Sequence, residues 1–181
     1  MALVMDIFVD GGCRNNGQLG SIGACAAVFK LPDGTILDSY GNCLPNDPRP
    51  TSQRAELTAI ILALHKVLDK ANNLPYKHWL DVKIHSDSYY AVSCMREWIH
   101  NWRRNGWTNA AGNPVMNQDL IRWADELDDE IQKLGSVEYC WISREKNRDA
   151  DRSVNEIMNG HRQGQHFYGC DTLGCLTEYR S

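Results

Sequence analysis

The chain has 181 residues, 19 Lys and Arg against 23 Asp and Glu, a formal charge of −4 and 43% hydrophobic residues. That length and apolar content suit one domain with a single core, and 9% aromatic with 23% charged residues exclude a disordered or collagen-like chain. A net-acidic chain has no general attraction for nucleic acid, so any such binding requires a local basic patch.

Residues 5–9 are expected as a strand running into a turn at Asp10, Gly11 and Gly12. Residues 21–30, small and β-branched, form a second strand. Pro32, Asp33 and Gly34 then mark a hairpin leading to a third strand at 35–42. Residues 43–51 hold three prolines and read as a loop, after which Ser52 can cap a long helix. Leu57, Ile60, Ile61, Leu64, Val67 and Leu68 lie on one face of that helix. Beyond Asn72, Asn73 and Pro75 come a fourth strand at 80–85, a helix at 88–99 and a polar, Trp-rich segment. Asn117 can cap a third helix whose stripe is Leu120, Ile121, Ala124, Leu127, Ile131 and Leu134, with Gly135 ending it. A fifth strand at 137–142 and a last helix at 149–159 complete a domain over 1–160. Residues 161–181 have little apolar periodicity and read as a C-terminal tail.

Three hairpin-linked strands followed by strands alternating with helices predict a mixed α/β fold. Two antiparallel hairpins make strands one and three parallel, and strands joined through helices are normally parallel, with right-handed crossovers. Strands one, three, four and five then point the same way, so their carboxyl ends share one edge. Ligands of open α/β sheets sit outside that edge. Asp10 and Asp87 end strands one and four, Glu56 lies one turn into the helix after strand three, and Asp151 opens the last helix. Taken singly, Asp10 can be a turn residue, Asp87 a helix cap, and Asp149 or Asp151 a partner of the last helix's dipole. Glu56 has no such local duty. Together the four acids converge on one crevice, where they repel unless cations neutralise them. An all-oxygen donor set suits Mg²⁺, and two such ions about 4 Å apart can drive phosphodiester hydrolysis.

The motifs are then Phe8 to Gly17 (FVDGGCRNNG), Thr51 to Leu57 (TSQRAEL), His85 to Ser88 (HSDS), Trp98 to Trp107 (WIHNWRRNGW) and Asn147 to Asp151 (NRDAD). In this order the chain resembles the type-1 ribonuclease H family over residues 4–160. The resemblance implies a ribonuclease H-like five-stranded mixed sheet with a basic protrusion. It also implies hydrolysis of the RNA strand of RNA–DNA hybrids, giving 5′-phosphate and 3′-hydroxyl ends. By it, Asp10 bridges two Mg²⁺ ions, for which Mn²⁺ can substitute; Glu56 and Asp87 hold one ion and Asp151 the other. The formal charge of −4 equals the charge of those four acids.

Arg96, Arg103 and Arg104 stand against one acid, Glu97, among Trp98, Trp102 and Trp107, a pattern suited to phosphates and flat base or sugar faces. The tryptophans can equally anchor this segment to the core. The resemblance makes Trp98 and Trp102 DNA-strand contacts, and Arg49, Thr51 and Asn117 a DNA phosphate pocket. Reading RNA requires contact with 2′-hydroxyls, for which Asn16 and Gln53 are placed beside Asp10 and Glu56. Cys13 matches a position whose backbone faces the RNA, and Ser52 stands where the family often has Asn. Many members carry a loop histidine before the last acid. Here the loop reads Ser143, Arg144, Glu145, Lys146, Asn147, Arg148, like a branch without it. In this loop Arg144 or Lys146 is expected at a phosphate.

The start of the chain lacks the basic flank and cleavage site of a signal peptide, and no apolar run spans a bilayer. The seven scattered cysteines read as reduced thiols of an intracellular protein, cytoplasmic or nuclear, expected to be a monomer. His161, His166, Cys170 and Cys175 are of types that bind Zn²⁺, but their spacing matches no finger. Two readings compete with the nuclease: a catalytically silent domain gripping hybrid or double-stranded RNA, and the nuclease piece of a retroelement polyprotein.

Overall fold

A computed structural model describes residues 2–162. The strands are β1 (Ala2–Arg14), β2 (Ile22–Lys30), β3 (Ile36–Cys43), β4 (Trp79–Ser86) and β5 (Gly135–Trp141). The helices are α1 (Ser52–Asn72), α2 (Tyr89–Ser93), α3 (Ile99–Asn105), α4 (Gln118–Gln132) and α5 (Arg148–Arg162). One sheet runs in the order β3-β2-β1-β4-β5. The β1–β2 and β2–β3 pairs are antiparallel, and β4 and β5 are parallel to β1 and to each other. This is the mixed α/β sheet expected from the order of elements.

Helix α1 lays its stripe of Leu57, Ile60, Ile61 and Leu64 on Ile7, Val9, Val82 and Ile84, and α4 adds Ile121 and Ile131. Helix α5 covers the other face with Val154, Ile157 and Met158. Strand β2 is therefore buried on both sides, and Ala24 and Ala26 are small enough to let α5 close down. Among the described residues no helix is long and apolar enough to cross a membrane. Cys13, Cys25, Cys43, Cys94 and Cys140 carry free thiols. His166, Cys170 and Cys175, the side chain of His161, and the tail's composition lie outside the described residues, although α5 runs two residues past the expected boundary at 160.

Four local expectations are corrected. Asp10, Gly11 and Gly12 are not a turn, because β1 continues to Arg14 against β2; the reversal follows it, with Asn15, Gly17 and Gly20 at positive φ. The cap of α1 is Thr51, whose Oγ1 accepts from the Arg54 amide, and Ser52 is already helical. The helix expected at 88–99 continues to Asn105 through a π-helical turn at Cys94–Trp98, with Gly106 in the left-handed conformation stopping it. Gly135 does not end α4; it opens β5, where a Cβ would lie 1.9 Å from the Leu80 carbonyl oxygen.

Candidate active site

The register of the parallel β1–β4 seam builds the first half of the site. Its last pair is Phe8 opposite His85, so Asp10 and Asp87, each two residues on, emerge side by side past the end of the seam. The second half comes from α1 crossing directly over β1 at Gly11, where a Cβ would lie 2.1 Å from the Ala55 carbonyl carbon. Only glycine permits that approach, which sets Glu56 against Asp10. One carboxylate oxygen each from Asp10, Glu56 and Asp87 lies within 4.8 Å of the others.

This cluster is electrostatically uncomfortable on its own. Burial, with the nearby Asp87 and Asp151 carboxylates, pushes the Asp10 pKa up to about 7. Burial, with Asp10 and Asp87, holds Glu56 well above the usual carboxylate range. Glu56 Oε2 is also buried without a hydrogen-bond partner. Oxygen donors that are partly buried, crowded, mutually repelling and partly unpaired are the donor set a hard divalent cation would complete. The residues present therefore fit a metal centre.

Asp151 stands in the first turn of α5 but outside the 4.8 Å cluster. Its Oδ1 accepts from Arg144 Nη2 at 2.8 Å and its Oδ2 from Asn155 Nδ2 at 3.1 Å. The Arg144 guanidinium is thus turned toward the fourth acid. Asp149 is a structural acid, paired with Lys30 at 2.7 Å and Arg152 at 2.8 Å. Asp87 does not cap α2; Ser88 does, accepting from the Ala91 amide.

The expected substrate residues fall into two groups. Around the start of α1, Asn16 Oδ1 accepts from the Ser52 amide at 2.9 Å, and the Cys13 thiol donates to the Pro50 carbonyl at 3.3 Å. Arg49 and Gln53 are exposed beside them. Asn117 joins this region through Arg54, whose Nη1 donates to Asn117 Oδ1 at 3.4 Å, while Asn117 Nδ2 donates to the Tyr90 hydroxyl at 3.2 Å. Asn117 precedes α4 in the left-handed conformation without capping it through its side chain.

The second group is an aromatic ladder along α2 and α3. Tyr90, Trp98, Trp102 and Trp107 follow one another at centroid separations of 6.1, 5.8 and 6.3 Å, half-buried against the core. The basic character of this protrusion is smaller than its composition implies. Arg103 is captured by Asp125 and Asp129 of α4, with Nε to Asp125 Oδ2 at 2.7 Å. Arg104 is bonded back to the His100 carbonyl and Asn101.

Sequence reasoning gave no individual role to Asn147, Arg54 or Trp141. Asn147 is buried, and its Nδ2 donates to both the Val9 carbonyl and Asp87 Oδ1. Trp141 Nε1 donates to the Asp87 carbonyl at 3.2 Å. A heptad, cap or turn pattern announces none of these, because each acts on a residue at least 54 positions away.

The RNase H family model matches residues 3–159. A ribonuclease H of Nitrosomonas eutropha is 33% identical over 156 residues, covering 84% of this chain and 88% of that one. One of Hydrogenovibrio crunogenus is 34% identical over 158 residues, covering 86% and 92%. Among solved structures, the fold is similar to that of RNase H1 from Halobacterium salinarum NRC-1 (TM-score 0.58, 20% identity, 87% of this chain and 98% of that one). It is similar also to LC11-RNase H1, solved in complex with an RNA/DNA hybrid (TM-score 0.64, 20% identity, the same coverages).

Proposed function

The chain belongs to the RNase H family, and from that premise we propose that it hydrolyses the RNA strand of RNA–DNA hybrids, as a monomer, leaving 5′-phosphate and 3′-hydroxyl ends. The observation that carries this reading is the carboxylate cluster of Asp10, Glu56 and Asp87, with its buried, unpaired Glu56 oxygen. Two Mg²⁺ ions are its cofactors, with Mn²⁺ able to replace them. Asp10 would hold both ions, Glu56 and Asp87 one of them, and Asp151 the other. When bound, such ions would supply an activated water and charge stabilisation for the leaving oxygen. Arg144 pairs with the Asp151 carboxylate at 2.8 Å, and its positive charge beside the acids suits it to contact a substrate phosphate. Hydrolysis would survive without the loop histidine because the metals would supply the nucleophile.

The hybrid lies across the edge that carries the acids. Asn16, Ser52 and Gln53, with the backbone at Cys13, meet the RNA strand near the start of α1. Arg49, Thr51 and Asn117 take a DNA phosphate, and Trp98 and Trp102 receive the DNA strand along the aromatic ladder. The catalytic domain spans 1–160 and 161–181 is an appendage to it. Retention of all four acids favours this reading over a silent binding domain.

The test is a cleavage assay with uniformly labelled RNA as RNA–DNA hybrid, as RNA duplex and as single strand, with Mg²⁺, Mn²⁺ or chelator. Cutting of the hybrid alone, with metal alone, is expected. Equal cutting of all three forms would overturn hybrid specificity, and binding without cutting under every metal would favour the silent domain.

A further inference from the structure

We propose that Asn147 is the positioning residue that sets the separation of the acids in the metal centre; this rests on reading the carboxylate cluster as that centre. Asn147 is 1% exposed and stands between the short 3₁₀ turn at Arg144–Lys146 and the start of α5. Its Nδ2 donates at 2.8 Å to the carbonyl of Val9, the residue before Asp10, and at 2.8 Å to Asp87 Oδ1. Its own carbonyl accepts from the Asp151 amide at 3.1 Å, and its amide donates to the Arg144 carbonyl at 3.0 Å. One buried residue therefore ties the end of β1, the carboxylate past β4 and the first turn of α5. These are the three elements that carry Asp10, Asp87 and Asp151.

The orientation of the amide follows from its partners. A carbonyl and a carboxylate are both acceptors, so the NH₂ end must face them. The Oδ1 end is then buried and unpaired. An apolar residue of similar size would remove that unpaired oxygen, but it would also leave the Val9 carbonyl and Asp87 Oδ1 without this donor. Its amide does something no apolar side chain can: it holds Asp87 Oδ1 by a hydrogen bond in a cluster where one Asp87 oxygen lies within 4.8 Å of an oxygen of Asp10 and one of Glu56. The two hydrogen bonds also clamp β1 to Asp87 past the last backbone pair of the β1–β4 seam, where no ladder bond holds the spacing. Outer-shell groups of this type orient metal-ligating carboxylates.

The experiment is calorimetric titration of Mg²⁺, and separately Mn²⁺, into the full chain and its Asn147→Ala variant, with folding checked by circular dichroism in chelator. The variant is expected to bind metal about 10- to 100-fold more weakly. Lys30→Met, which breaks the ion pair between β2 and α5, is the comparison; it should lower Tm and leave metal affinity unchanged. Equal affinity in wild type and Asn147→Ala, or an equal loss in Lys30→Met, overturns the positioning role. No metal binding by the wild type overturns the metal-centre reading instead. The second readout needs no variant. In the wild-type protein the Asn147 side-chain amide protons should be protected from exchange and shift during Mg²⁺ titration with the calorimetric midpoint. Protons that exchange like an exposed amide, or that do not move, overturn the proposal.

Discussion

Replacing Asp10 by Asn should make the metal-free protein more stable above neutral pH while removing its activity. The structure gives the magnitude. The Asp10 carboxyl has its pKa raised from 3.8 to about 7, chiefly by burial and then by Asp87 and Asp151. A folded-state pKa above the unfolded value means that the folded chain holds the proton more tightly. The stability this contributes is present below about pH 4 and is lost as pH rises to about 7. The total lost is about 4 kcal/mol, at about 1.4 kcal/mol for each tenfold change in the proton equilibrium. Asn has nearly the shape of Asp and no charge to desolvate. In urea unfolding with chelator, Asp10→Asn should therefore gain up to about 4 kcal/mol over wild type at about pH 8, and less than about 1 kcal/mol at about pH 4. Adding Mg²⁺ should narrow or reverse the gap, because bound metal stabilises only the chain that holds it. A variant no more stable than wild type at the higher pH in chelator, or equally stabilised at both, refutes the electrostatic account of the site.

Glu56→Gln and Asp87→Asn should each lower kcat about a hundredfold or more with little change in hybrid affinity, as measured by single-turnover cleavage and equilibrium binding. Trp102→Ala, which interrupts the aromatic ladder, should weaken hybrid binding by about 1–3 kcal/mol without changing its salt dependence. Arg103→Ala should leave the slope of affinity against salt unchanged, because Asp125 and Asp129 already hold that guanidinium; a reduced slope would show that it reaches phosphate in the complex. Gly135→Ala should prevent stable folding or cost more than about 3 kcal/mol in chemical denaturation, since its Cβ would meet the Leu80 backbone.

Much was legible in the chain because it is written in local patterns. The stripe of α1 from Leu57 to Val67, the hairpin at Pro32–Gly34 and the stripe of α4 are periodicities of 3.6 or turn chemistries that need no distant partner. The order of those elements was enough to bring the ends of strands one and four and the starts of two helices to one edge, and hence to single out Asp10, Glu56, Asp87 and Asp151. Turn chemistry misled where a longer-range contact won. Gly11 and Gly12 read as a turn, yet each faces a helix packed on the sheet, at Ala55 and Val154. Gly135 read as a helix stop, yet its role is set by Leu80, 55 positions away.

Charge was the least readable property. Arg103 counts as a basic residue in the sequence, but α4 neutralises it across the fold. Asp151 counts as a fourth acid of equal standing, but in the fold it pairs with Arg144 and lies outside the cluster of three. Chain chemistry alone pointed to the four acids and determined the α/β architecture, because both readings follow from local propensity and the order of elements. Only the tertiary structure decided their spacing, through the β1–β4 register, the closeness of α1 to Gly11 and the amide of Asn147. Those depend on which atoms meet across distances of 44 to 138 residues, and no local pattern carries that information.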